Sequence, residues 1–536
     1  MAQEMPPKFF SPAQTQNQND LSNASEQTQL PFPTEVIELI FQHLSVFQLK
    51  QVRRTCRLWK TIVDGSVILL RKFCLNLPKG VILDQACEPA CLLSVPHVFV
   101  SNARIISLEP WWPVLGENLG KLRIFNSKFS LPMLAGVLRR TPNLKELDLF
   151  YNQYPTNVDV SQFANFQLDR IQQLRLHDHQ DKLIQLLRRI CPRPRNLECN
   201  ADDMEQQIIE YLQTAQESLE RVKISATDPI LTTMSSLPRL RLKIVILSCI
   251  LTTSEKMLQF AKAQPTIEIL SLEGAEFNNA IMCEIGRNLP NLRNLHVELL
   301  STSTSDATIW RPTFLATMPH LVYLSIDADF IENLRATFEG YQNPNLEEIT
   351  LCGLNFEASE ALGRYLRHSP HLQKLALQNT TILAESDLFA NLPLSKLHTL
   401  TLINVLCCDE DECLVEKFEN LRVLELNEID MSEDLASAII QLSPNLESVR
   451  ICKLPLNDRL VLELCQSLKR LKTLSLRRCH GITDASVEHI ITHCHALEQL
   501  DVSTSSNLSK EATNRLKQTG RFQLKQIFNF AELFIW

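Results

Sequence analysis

Glycine is scarce, at 12 residues in 536. No P-loop, no Gly-x-Gly-x-x-Gly turn and no Gly-x-Ser-x-Gly elbow occurs, which removes the usual cradles for nucleotide phosphates and for a serine nucleophile. Basic residues are not in excess: 53 Lys and Arg stand against 61 Asp and Glu, a net charge of −8. That argues against a nucleic-acid surface, which normally shows a basic surplus. No run of about 18 uncharged apolar residues is present, so no membrane-spanning helix is expected. The opening "MAQEMPPKFFSPAQTQNQND" lacks the charged, apolar, small-residue order of a secretory leader. The 16 cysteines are therefore expected as reduced thiols of a cytoplasmic or nuclear protein. Many sit in apolar strings such as "LVLELCQSL", where a thiol serves as a small hydrophobe.

Apolar residues at 45% and charged residues at 21% are the balance of a folded protein. Residues 1–29, rich in Gln, Asn, Ser and Thr, read as a disordered polar tail. A short, apolar helical block comes next, "FPTEVIELIFQHLSVFQLKQVRRTCRLW", with "LNLPKG" at Leu75–Gly80 read as the end of its last helix. Pro33 suits a helix start and Ser45 suits a cap for the second helix. The apolar residues Val36, Ile37, Leu39, Ile40, Phe41 and Leu44 cover more than one face of a single helix. So small a block buries little core by itself, and its second apolar face either packs on the first repeats or docks on a partner.

Beyond about residue 100 the pattern apolar-x-x-apolar-x-apolar recurs about every 25 residues, inside the roughly 20–29 range of a leucine-rich repeat. "PNLKELDL" at Pro142, "PNLRNLHV" at Pro290, "PHLVYLSI" at Pro319, "PNLEEITL" at Pro344 and "KRLKTLSL" at Lys469 are clear copies; "NLECNA" at Leu197 is degenerate. Between them lie patterns with helical spacing, such as "EDLASAIIQLS". The predicted fold is α/β, with the small helical block followed by a solenoid. The solenoid is a horseshoe arc with parallel strands on its concave face and helices on its convex face. The boundaries read are 30–77 for the helical block, 78–120 for a linker and first irregular repeats, and 121–523 for the solenoid. Residues 524–536, "LKQIFNFAELFIW", would form a terminal strand and an apolar cap, or fold back into the hollow.

With both parts in view, the chain resembles the F-box and leucine-rich-repeat proteins, substrate receptors of cullin–RING ubiquitin ligases. "FPTEV", "IFQHL" and "LKQVRRTCRLW" resemble the F-box, and "CHGITDASV" resembles the cysteine-containing repeat of that family. The resemblance implies docking on a Skp-type adaptor, and through it on cullin and the RING protein, by Pro33, Glu35, Val36, Ile40, Leu44, Leu49, Val52 and Trp59. It also implies no active site, since ubiquitin transfer is done by the conjugating enzyme on the RING protein. A scaffold that binds partners without the ligase, its helical block serving only as a cap, is the alternative.

By the period of two along a strand, the third, fifth and seventh positions of each string face the hollow. These supply candidate substrate contacts: Arg175 and His177, Arg221 and Lys223, Glu273, His296 and Glu298, Tyr323 and Asp327, and Glu348. The row reads as basic early and acidic in the middle. Arg175, Arg221 and Lys223 would suit a phosphate, and the acidic stretch a basic segment. Tyr323 is the anchor candidate. Arg53, Arg54, Arg57 and Lys60 read as a solvated helix face. His489 and His493, beside Cys494 and His495, are four apart as metal ligands can be, but they lack the glutamate of an HExxH arrangement and fit a repeat helix and strand. Cys407, Cys408 and Cys413 beside "DEDE" lack a second Cys pair at zinc-finger spacing. No cofactor, metal, nucleic acid or membrane is expected.

Overall fold

The structure is a computed structural model describing residues 32–524, except 78, 85–94, 109–111, 155–158, 178–179, 200–203, 277, 301–308, 357–358, 383–395, 408–416, 430–432, 455, 504–506 and 520–522. The polar tail, the "DEDE" segment and the apolar C-terminal end lie outside the described residues. The chain divides into two compact units, Met1–Ser225 with Leu237–Arg241, and Ala226–Ser236 with Leu242–Trp536. Among the described residues no helix is long and apolar enough to cross a membrane.

The first unit opens with helices Thr34–Gln42, Val46–Thr55, Arg57–Gly65 and Val67–Leu70. Their ends follow from local chemistry. Pro33, with φ −55° and ψ 150°, stands at the N-cap of the first helix. Ser45 forms a reciprocal capping box with Gln48: its hydroxyl accepts from the Gln48 N–H at 3.3 Å, and its own N–H donates to Gln48 Oε1 at 2.8 Å. Cys56 turns extended and breaks the second helix from the third, its sulfur accepting from the Trp59 N–H. Ser66 caps the fourth helix and donates to Glu38. Ile37, Phe41, Leu49, Ile62, Val63, Leu69, Leu70 and Phe73 are buried.

The helices stop at Leu70, and "LNLPKG" is not a helix end. Cys74–Asn76 is a strand that pairs in parallel with His97–Ser101. The reason is local: Phe73 is buried behind a turn, and its chain then runs extended along the next strand. Strands Lys121–Phe125, Glu146–Phe150, Gln173–His177, Asn196–Cys199 and Arg221–Thr227 follow in sequence order, each parallel to the one before. Leu122, Leu147, Leu174, Leu197 and Val222 align across the register and are buried; the residues between them alternate outward. Helices Trp112–Gly116, Leu131–Arg139, Asp181–Ile190 and Glu205–Ala215 connect the strands, as parallel neighbours require.

The second unit repeats this arrangement from Ile244–Leu251 to Gln523–Leu524, with successive principal strands parallel and consecutive helices packed on one another. Some of its buried polar side chains are satisfied internally. Asn343, fully buried, donates to the Met318 carbonyl at 2.9 Å and accepts from the Tyr365 hydroxyl at 3.0 Å. Gly353 has φ +69°, and a Cβ there would lie 2.5 Å from the Ala328 backbone. Cys56, Cys74, Cys191, Cys199, Cys249, Cys283, Cys352, Cys452, Cys465 and Cys479 form no disulfide bond.

Candidate functional site

Two surfaces carry the candidate residues. On the helical block, Phe32, Val36, Leu39, Ile40 and Phe47 stand in solvent; Leu39 is 58% and Phe47 64% exposed. The hydrophobic stripe of the first helix runs through Ile37 and Phe41, and this leaves Val36, Leu39 and Ile40 outward. Of the predicted contacts, Pro33, Glu35, Val36 and Ile40 are exposed, and Leu44, Val52 and Trp59 are half-buried. Trp59 lies edge-on to Phe41 with ring centres 5.6 Å apart.

Leu49 is corrected. It is 0% exposed, because it points from the second helix into the core of the block, and so it is no part of a contact surface. Phe32, Leu39 and Phe47 are exposed apolar residues outside the predicted set. Their signal was present, since more apolar positions exist here than one face of a short helix can bury.

The second surface is the solvent side of the strands. In the first unit the strand register aligns Arg123, Asp148, Arg175, Glu198 and Lys223. The charges alternate, and adjacent members are paired. Arg123 and Arg175 reach the same Asp148 oxygen at 3.1 and 3.4 Å, Arg175 reaches Glu198 at 3.2 Å, and Lys223 reaches Glu198 at 3.7 Å. His177 stacks on Phe150 at 4.6 Å and lies 3.4 Å from Glu198. The neighbouring His177 ring and the charges of Lys223 and Arg175 hold the Glu198 carboxyl below its ordinary range, against the effect of burial.

This corrects the basic early row. Arg175, His177 and Lys223 converge on one carboxylate, and Asp148 is fully buried beneath two guanidinium groups. Only Arg221 of the three proposed phosphate contacts has no ion pair among the described residues. Asp148 occupies the fifth position of "PNLKELDL", so the rule that selected Arg175 also selects it; Glu198, in the degenerate "NLECNA", is aligned with Arg175 only by the strand register.

In the second unit Glu298 stands across the register from Asp327, with Glu273 one strand earlier. None of the three has a Lys or Arg partner among the described residues, and burial together with the Asp327 and Glu273 charges pushes the Glu298 carboxyl up. His296 shares a hydrogen bond with Ser325 at 2.9 Å. Tyr323 is half-buried beside Glu348 in register. Glu348 leaves the acidic row, because Lys374 neutralises it at 2.9 Å.

Asp327, Asp329 and Cys352 bring ligand atoms within 4.8 Å of one another. Both Asp329 oxygens accept from the Asn379 amide at 2.8–2.9 Å, and burial and the adjoining carboxylates push the Cys352 thiol far up. His489, His493, Cys494 and His495 form no such group among the described residues. Arg53, Arg54 and Lys60 are not a plain solvated face: with Lys50 they border a cavity.

Residues 32–76 match the F-box-like family model. No curated protein matches the chain. Among solved structures, a TLR13–ssRNA13 complex is similar at 15% identity and TM-score 0.44, covering 85% of each chain. An internalin (inlF) from Listeria monocytogenes is similar at 14% identity and TM-score 0.33, covering 73% of this chain and 89% of that one. The repeat architecture rests on the strand order and register rather than on these likenesses. The chain joins an F-box-like helical block, residues 32–76, to parallel strand–helix repeats of the leucine-rich type.

Proposed function

We propose that this protein is a non-catalytic substrate receptor of a cullin–RING ubiquitin ligase, docking a Skp-type adaptor through the helical block and a protein substrate through its repeats. The exposed set Phe32, Val36, Leu39, Ile40 and Phe47 carries the reading. Burying five such side chains is worth a gross gain of about 7–15 kcal/mol, at about 1.5–3 each. Ordering and association offset much of that gain. A block that needed only to cap the repeats would turn these residues inward.

The substrate surface is the solvent side of the strands in the second unit. Glu273, Glu298 and Asp327 lack Lys or Arg partners there among the described residues, and Tyr323 lies four residues before Asp327 on the same strand. Uncompensated carboxylates with a half-buried tyrosine suit a basic segment of a protein. The receptor's contribution to ubiquitin transfer is to hold that segment near the conjugating enzyme.

The test is co-purification of adaptor and cullin with the intact chain and with Leu39→Asp/Phe47→Asp. Both positions are exposed, so the double variant keeps its fold, which circular dichroism verifies. Recovery with the intact chain and loss in the variant support the receptor. Absence of adaptor from the intact chain returns the protein to the scaffold alternative.

A further inference from the structure

Helix Val46–Thr55 carries Lys50, Arg53 and Arg54 at spacings of three and four, which places them together on its surface. Lys60 joins them from the next helix, and the four border a cavity of about 550 Å³. Its other walls are Phe73, Leu75 and Val95, with the exposed Cys74 between them.

The charge in this cavity is unbalanced. Arg53 is met by Asp64, at 2.5 and 3.0 Å. Lys50, Arg54 and Lys60 have no carboxylate partner among the described residues. Burial lifts the Cys74 thiol above its ordinary value, against the opposing charges of Arg123, Lys121 and Lys50. Three cations without a carboxylate partner among the described residues therefore border a concavity that also offers apolar wall.

We propose that this cavity binds a phosphate monoester attached to an apolar group, either a phosphorylated side chain of a peptide or a small phosphorylated molecule. A carboxylate offers one charge and two oxygens. A phosphate monoester carries close to two charges and three acceptor oxygens, which matches one guanidinium and two ammonium groups. Phe73, Leu75 and Val95 would cover the apolar portion, and inorganic phosphate would leave them unused. This site stands independently of adaptor binding, and a chain that fails to recover adaptor can still show it.

Cys74 supplies a local readout. The intact chain is alkylated with iodoacetamide and the modification is measured cysteine by cysteine. The exposed Cys56, which does not line the cavity, serves as the internal reference. The probes are phenyl phosphate, inorganic phosphate, benzoate, and a leucine-flanked phosphoserine peptide with its unphosphorylated form. Phenyl phosphate is expected to slow Cys74 alkylation several-fold and to leave Cys56 unchanged. Inorganic phosphate should protect less and benzoate hardly at all. Protection should be lost in Arg54→Ala/Lys60→Ala, whose fold is checked by circular dichroism, and kept in Arg57→Ala. If the double variant does not fold, the ranking of probes on the intact chain decides. Stronger protection by the phosphopeptide identifies a phosphorylated protein as the source; stronger protection by phenyl phosphate identifies a small molecule. No protection by either phosphate ester, equal protection by benzoate, or protection retained in the folded double variant overturns the assignment.

Discussion

Glu298 faces Asp327 across two parallel strands, with no Lys or Arg between them among the described residues. Burial and this like-charged neighbour raise the Glu298 carboxyl above its ordinary value. A carboxyl whose pKa is raised on folding binds more protons folded than unfolded, so its ionisation costs stability as pH rises through the folded value. Glu298→Gln is therefore expected to raise the melting temperature at pH 7.5, with the gain shrinking toward zero at pH 4. Thermal melts of both proteins across that range test it; a gain independent of pH would assign the effect to packing instead.

Asp148 is the opposite case, a buried carboxylate held by Arg123 at 3.1 Å and Arg175 at 3.4 Å. Hydrogen bonds to charged groups are worth about 1.5–3 kcal/mol each, and removing one partner strands the other. Asp148→Asn should destabilise the protein by about 1.5–3 kcal/mol in urea unfolding. Arg123→Gln should cost less, because its guanidinium can return to water.

Leu39 and Leu49 lie in neighbouring helices with similar sequence surroundings and opposite fates. Leu49→Ala empties a core position and should cost about 2–5 kcal/mol. Leu39→Ala removes an exposed side chain and should stay within about 0.5 kcal/mol while weakening adaptor recovery. Equal stability losses for the two would contradict the burial described for this block.

Gly353 has φ +69° and no room for a side chain beside the Ala328 backbone. The left-handed conformation alone costs a non-glycine residue about 1–2 kcal/mol, and the 2.5 Å approach adds to it. Gly353→Ala should lower the melting temperature by several degrees, more than Gly340→Ala, where φ is +85° but nothing lies within 4 Å. Similar losses at both glycines would leave strain as the whole effect.

Repetition made the architecture legible from residues alone. A strand has period two, so "PNLRNLHV" must bury Leu295 and Val297 and turn Asn294 and His296 outward. The structure has this alternation. The Ser45 cap was legible for the same reason: its partner Gln48 is three residues away, so the interaction is local in sequence.

Tertiary structure decided which charges remain free and which apolar side chains remain exposed. The Arg175 charge is cancelled by Asp148 and Glu198, residues 27 positions before it and 23 after it, brought alongside by the strand register. Lys374 removes Glu348 from the acidic row in the same way, while Glu273, Glu298 and Asp327 find no Lys or Arg on either side among the described residues. The cavity bordered by Lys50, Arg54 and Lys60 takes part of its wall from Cys74 and Leu75, on the strand that pairs with His97–Ser101, and from Val95, some twenty residues further along the chain. Burial and ion pairing depend on distances between segments far apart in the chain. Residue type and spacing therefore established the repeating unit and its inward and outward faces, and stacking of the units determined which outward residues are left to bind a partner.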